Sequence, residues 1–137
     1  MRLSARRRVG SILSVELLFV LPILLALLLA MTEFSLLLST EARYAHASRE
    51  GARVAALGGD LAGVELAVRN VLGDGQFEAS TLTVTPDISS VNNYPSGTAM
   101  EVIVAIRARQ VVPDLLRFFG FSLGDQQVLG RTVMRRE

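Results

Sequence analysis

Residues 11–31 read SILSVELLFVLPILLALLLAM, and this apolar stretch decides the fold of the chain. About 20 apolar residues in an α-helix span the hydrocarbon core of a bilayer. The only charged residue in the stretch is Glu16, and residues 35–38 resume the apolar run after a short polar interruption. The pattern therefore predicts one transmembrane helix, which we place at residues 11–38.

The residues before this stretch form a basic leader, residues 1–10. The leader has no acidic residue and contains four arginines, Arg2, Arg6, Arg7 and Arg8. Cytoplasmic flanks of membrane helices carry an excess of Lys and Arg, so we expect the leader in the cytoplasm and residues 39–137 outside the inner membrane. This uneven charge indicates membrane orientation and not nucleic-acid binding.

Two residues inside the apolar stretch are unusual. A carboxylate costs about 2–3 kcal/mol or more at mid-membrane depth, so Glu16 is a candidate functional residue. The alternative is that Glu16 sits at headgroup level, because it lies only about 9 Å of helix rise beyond Gly10. Pro22 is tolerated in membrane helices, where it is either a plain kink or a feature with a role.

A cleavable secretory signal is the alternative for the whole segment. Its apolar core usually has about 7–15 residues and ends at a small-x-small site. The run here is longer and contains Glu16, no good A-x-A site follows it, and Ala45-His46-Ala47 lies too far downstream. We therefore favour a helix that stays in the membrane.

The helical pattern continues beyond the membrane stretch, over residues 39–57. Small side chains recur there at helical spacing, which allows close approach between helices. They are Ala45, Ser48, Ala52 and Ala55. Gly58-Gly59 then predicts the end of the helix.

The rest of the sequence predicts a small α+β domain. Asp60 is typical of an N-cap, and apolar residues three and four positions apart predict a second helix over residues 60–72. Alternating patterns predict three antiparallel strands, at about residues 79–85, 100–112 and 126–135. A sheet of this size needs a helix to cover its apolar face, and the second helix can do so. Three phenylalanines after Pro113 are expected to join the core, with contact to a partner as the alternative: Phe118, Phe119 and Phe121.

The sequence shows no pattern typical of an enzyme. The absence of cysteine excludes disulfides, thiolate metal sites and a cysteine nucleophile. The single histidine, His46, stands in no metal-binding spacing. We therefore predict no catalytic residue, no metal ion and no cofactor.

Three parts of the N-terminal half resemble the TadE-like pilus assembly proteins, pseudopilins of the tight-adherence secretion system. The family pattern joins a Gly, small residues and V-E-F to an apolar run with a Pro, a second E-F, and an A-x-R-E-G-A-R-x-A-A block. This chain has Gly10-SILSVELLFVLP, Glu33-Phe34 and, over residues 47–56, ASREGARVAA. The last block is the most specific, and the sheet domain matches a pilin-like fold only in general plan.

The resemblance implies that a prepilin peptidase cuts after Gly10, so that the mature chain starts at Ser11. Glu16 then acts in processing, or fixes subunit register by pairing with the free amine of a neighbouring subunit. In the family the acid is normally the fifth mature residue and an aromatic follows it, whereas Glu16 is the sixth and Leu17 follows. Two forms therefore stay open, a cleaved chain and an uncut single-pass membrane protein.

The function implied by the resemblance is that of a minor pseudopilin, a non-catalytic assembly component of a Tad-type pilus in the bacterial inner membrane. The implied partners are the lipid bilayer, other pilins or pseudopilins, the pilus assembly platform and the prepilin peptidase. The residues implied in helix packing are Glu16, Pro22, Glu33, Phe34, Ala45, Ser48, Arg49, Glu50, Gly51, Ala52, Arg53 and Ala55.

Two other classes of protein are alternatives. One is a single-pass membrane-anchored binding domain whose helix is only a tether, and the other is a secreted enzyme or toxin. A tether does not need a block of small residues at 45–56, and the small domain lacks the grouped side chains of an active site. If the small residues pack between subunits, Ala52→Leu should weaken assembly and leave the protein inserted.

Overall fold

One helix of 51 residues dominates the fold. The computed structural model describes residues 6–88 and 94–137, with side chains described from Val15 onward. Helix α1 runs without interruption over Arg6–Ala56 and includes Pro22. At 1.5 Å per residue this helix is about 76 Å long, more than twice the roughly 30 Å core of a bilayer. One half of α1 is therefore long enough to cross a membrane while the other half packs into a domain.

The end of α1 has the glycine cap that the sequence predicts. Gly58 adopts a φ of 84°, and the N–H of Gly59 donates to the carbonyl of Val54 at 2.9 Å. This arrangement satisfies the last carbonyls of the helix and reverses the chain. Helix α2, Leu61–Leu72, then begins at Asp60, whose side chain accepts a hydrogen bond from the backbone N–H three residues later.

The remaining elements form a small domain against the C-terminal half of α1. In chain order they are α3 (Asp74–Ala79), β1 (Thr81–Thr85), β2 (Ala99–Arg107), α4 (Ala108–Val111), a 3₁₀ helix (Leu115–Phe119) and β3 (Gln127–Arg135). The strands pair in the order β1-β2-β3 and both pairs are antiparallel. The fold is therefore α+β, as predicted. β1 begins two residues later than expected because α3 includes Ala79.

Helix α1 covers the inner face of the sheet. The inner side chains of β2 are no more than 3% exposed, and they are Met100, Val102, Val104 and Ile106. β3 approaches α1 so closely at Gly130 that a Cβ atom there would lie 2.0 Å from the carbonyl oxygen of Tyr44. Helix α1 thus covers the part of the sheet nearest β3, and the second helix shares the same core, since Val64 and Val68 of α2 lie beside Val102 of β2 at Gly51. The tight turn after α1 returns α2 alongside α1, where it buries Val64, Val68 and Leu72.

The predicted strand 100–112 is too long at its C-terminal end. β2 stops at Arg107, which pairs with Gln127, the first residue of β3. The N–H of Ala108 still donates to the carbonyl of Gln126 at 2.9 Å. Beyond Ala108 the chain has no strand neighbour, and buried backbone groups need partners. One helical turn supplies a partner instead, since the N–H of Val112 donates to the carbonyl of Ala108 at 2.9 Å.

Candidate functional site

The first half of α1 carries its apolar side chains on the outside. The helix from Val15 onward is long and apolar enough to cross a membrane, and none of its most apolar window is buried by the rest of the chain. Side chains such as Leu18 and Ile23 are each 70% exposed. Contact with water would be unfavourable for so much apolar surface. Length, composition and exposure together indicate a single-pass membrane anchor.

Glu16 is exposed on this apolar segment. Among the side chains that the structure describes, none forms a hydrogen bond or an ion pair with it. Pro22, further along the helix, is exposed as well. A carboxylate at headgroup level meets water, whereas one surrounded by lipid needs a partner, and no such partner is among these side chains.

The predicted leader and processing site can be placed only in part. Arg2 lies outside the described residues. Five further residues belong to the first turns of α1, without described side chains: Arg6, Arg7, Arg8, Gly10 and Ser11. Their roles in membrane orientation and cleavage stay predictions.

Glu33, which the sequence groups with the assembly residues, is buried within the molecule and only 4% exposed. One of its carboxylate oxygens, Oε2, accepts hydrogen bonds from the backbone N–H groups of Leu115 and Leu116, both at 3.0 Å. These are the first N–H groups of the 3₁₀ helix, and hydrogen bonds to a charged acceptor are stronger than neutral ones. Glu33 therefore fastens this short helix to α1, while its neighbour Phe34 is 62% exposed.

The small residues near the end of α1 pack inside the domain. Ser48 and Ala52 are fully buried, and the hydroxyl of Ser48 lies 2.7 Å from that of Thr132 on β3. A Cβ atom at Gly51 would lie 2.9 Å from Cγ2 of Val68 on α2. Ala55 is also buried and Ala45 is half-buried. The small side chains thus let both β3 and α2 approach α1, and packing between subunits stays a prediction.

The charged residues of the same block point outward. Arg49 and Arg53 are exposed. Glu50 and Arg53, three residues apart on the helix, form an ion pair with 3.6 Å between Arg53 Nε and Glu50 Oε2. Exposed pairs of this kind contribute little to stability. This face of the helix is therefore the part of the block that is free to meet another protein.

Burial of Ala52 changes the expected effect of Ala52→Leu. A larger side chain in a packed core costs about 1–3 kcal/mol, so we expect the domain to lose stability in addition to any loss of assembly. Thermal unfolding of the full chain in detergent measures the effect, with a fall of about 4–8 °C per kcal/mol for a domain of this size. His46→Leu places the same side chain on the exposed side of α1 and serves as the control. An unchanged melting temperature for Ala52→Leu would contradict the packing of α1 on the domain.

The phenylalanines after Pro113 were expected to join the core, and they do not. Phe118 is 90% and Phe121 is 68% exposed, and Phe119 is half-buried, edge-on to Phe118 with ring centroids 5.4 Å apart. The bonds to Glu33 hold their helix against α1 and away from the sheet. A Gly120 φ of 85° then turns the chain, which places Phe121 near the apolar part of α1. The sequence reasoning missed this surface, although an Arg beside three closely spaced aromatics is the available signal.

The fold and this surface define a small α+β domain on a single-span membrane anchor. Residues 12–53 match the family model described as TadE-like protein, which confirms the resemblance found in the sequence. The matched segment lies entirely within α1, so the long helix is the TadE-like part of the chain. No curated protein and no solved structure matches the chain. Over this segment the chain is similar to TadE-like proteins, and the similarity suggests a role related to the Tad pilus.

Proposed function

We propose that this protein is a minor pseudopilin, an assembly component of a Tad-type pilus or secretion apparatus that acts by helix packing in the membrane. The observation that carries the proposal is the exposed Glu16 on an apolar helix segment that the rest of the chain leaves uncovered. A tether needs no carboxylate there. Removing one partner of an ion pair in a low-dielectric site is strongly destabilising, so a pair between neighbouring subunits would fix their relative height.

The proposed partner of Glu16 is the N-terminal amine of a neighbouring subunit. A prepilin peptidase would create this amine by cleavage after Gly10, at Ser11. The arginines of the leader would hold residues 1–10 on the cytoplasmic side of the inner membrane. The domain that follows α1 would then lie outside the cytoplasm, where it can meet other pilins and the assembly platform.

The mass of the intact protein, extracted from its own membrane, tests the processing step. A chain that begins at Ser11 supports the pseudopilin proposal. A retained leader means an uncut single-pass protein, which removes the proposed amine partner of Glu16. A start beyond Met31 means that a signal peptide has been removed, and this result would overturn the proposal.

We expect Glu16→Gln to reduce recovery of the protein with its pilus partners at least tenfold, because the amide keeps the shape of the side chain and loses the charge. A tenfold change corresponds to about 1.4 kcal/mol. Surface pili and co-purifying subunits are quantified in the host bacterium at equal membrane levels of each variant. Glu41→Gln is the matched control, since Glu41 is exposed on the same helix beyond the apolar stretch. Normal pili from Glu16→Gln would contradict the registry role.

A further inference from the structure

The exposed phenylalanines lie beside the apolar span of α1. Residues 115–121, which we name the phenylalanine loop, form one wall of a cavity of about 380 Å³. The other wall is the helix itself. All of the lining residues are apolar: Ile23, Ala26, Leu27, Ala30, Leu116, Phe119 and Phe121. The apolar surface of the loop is therefore continuous with that of the membrane helix.

The loop reaches a depth that a bilayer would occupy. A span of about 20 residues that begins at Ser11, where the sequence places the start of the membrane helix, would end near residue 30. Ile23 lies ten residues before Glu33, which is about 15 Å along the helix axis. Side chains that contact the segment from Ile23 to Ala30 are therefore beside residues that lipid would surround. A loop in this position would therefore lie in the bilayer and not in water.

The polar groups of the loop are arranged for a medium of low polarity. Unpaired backbone groups are costly in lipid, and the first two N–H groups of the 3₁₀ helix are bonded to Glu33. The N–H groups of Gly120 and Phe121 donate to carbonyls within the loop, at 3.1 and 3.2 Å. Arg117 is exposed beside Phe118, and an arginine there can extend its head group to the lipid phosphates.

We propose that the phenylalanine loop inserts into the leaflet on the domain's side of the membrane. Phe118 and Phe121 would lie at the boundary of the acyl chains, with Arg117 at the phosphates, as aromatic and basic residues do at membrane interfaces. The domain is then held at a fixed height and rotation on the bilayer by two contacts, α1 and the loop. This inference rests on the membrane anchor and is independent of pilus assembly.

A single tryptophan tests the insertion directly. The chain contains no Trp, and Phe118 is 90% exposed and can accept the larger ring, so Phe118→Trp introduces one fluorophore on the exposed side of the loop. The full-length variant is reconstituted in vesicles of phosphatidylcholine and phosphatidylglycerol, with or without bromine on the acyl chains. We expect blue-shifted emission and at least twofold quenching by the brominated lipids.

Two further single-Trp variants calibrate the result. Leu24→Trp lies in the span and should be quenched, whereas Leu66→Trp lies on the exposed side of α2 and should not, although the native side chains are similarly exposed, at 58% and 59%. Emission of Phe118→Trp that matches Leu66→Trp, with full access to aqueous acrylamide, overturns the proposal. Protection from acrylamide without lipid quenching, lost when the protein is diluted in lipid, means that a second copy covers the loop, and this result overturns it as well. Quenching of Leu24→Trp reports separately on the membrane anchor.

Discussion

Gly130→Ala is expected to lower the free energy of unfolding of the domain by more than about 3 kcal/mol, beyond the range of most single substitutions. A Cβ atom at this position would lie 2.0 Å from the carbonyl oxygen of Tyr44 and 2.7 Å from the backbone nitrogen of Ala45. Both are backbone atoms of α1 and cannot rotate away. Because Gly130 pairs with Val104 in the middle of the sheet, relief of the clash requires β3 to move away from α1 along its length.

Unfolding of the full chain in detergent, followed by circular dichroism, measures the effect of Gly130→Ala. Hydrogen exchange at the amides of β3 then shows whether this strand has separated from α1. Gly75→Ala is the control, since the structure places no atom within 4 Å of a Cβ atom there. A Gly130→Ala variant as stable as the Gly75→Ala control would show that α1 and β3 do not pack this closely.

The parts of the fold that depend on neighbouring residues could be predicted from the sequence. Gly58-Gly59 ends α1 and Asp60 begins α2 because each cap is made within a few residues. The end of β2 could not be predicted in this way. It is set by where β3 begins, some 20 residues further along the chain, and the alternating pattern itself continues past Arg107.

The candidate site could be predicted less completely, because its contacts too join residues that are far apart in the sequence. A carboxylate next to an apolar run suggests contact between subunits, and Glu33 was grouped with such residues. Its partners are the N–H groups of Leu115 and Leu116, separated from it by 82 and 83 residues, and no local pattern connects them. Gly130 does carry a signal in the sequence, since a glycine inside an alternating strand is typical of close backbone approach.

We expect Glu33→Ala to release the phenylalanine loop from α1. The substitution leaves the N–H of Leu116 without its acceptor and the N–H of Leu115 with only the carbonyl of Pro113, at 3.1 Å. An unsatisfied buried donor costs about 1–3 kcal/mol. Arg117 lies in the released segment, so the rate of tryptic cleavage after this residue reports the opening. At 1.4 kcal/mol per factor of ten, we expect cleavage at least tenfold faster than in the unaltered chain, with the protein held in vesicles.

Two variants separate loss of the hydrogen bonds from loss of charge. Glu33→Gln keeps an oxygen that can accept from both N–H groups, but neutral hydrogen bonds are about half as strong as charge-assisted ones. The cleavage rate of Glu33→Gln should therefore lie between the rates of the unaltered chain and of Glu33→Ala. Glu41→Ala removes an exposed carboxylate two turns further along α1 and should change nothing. If Glu33→Ala and Glu41→Ala are cleaved at equal rates, the carboxylate does not hold the loop, and burial of a charge beside the membrane span would then require a partner from another subunit.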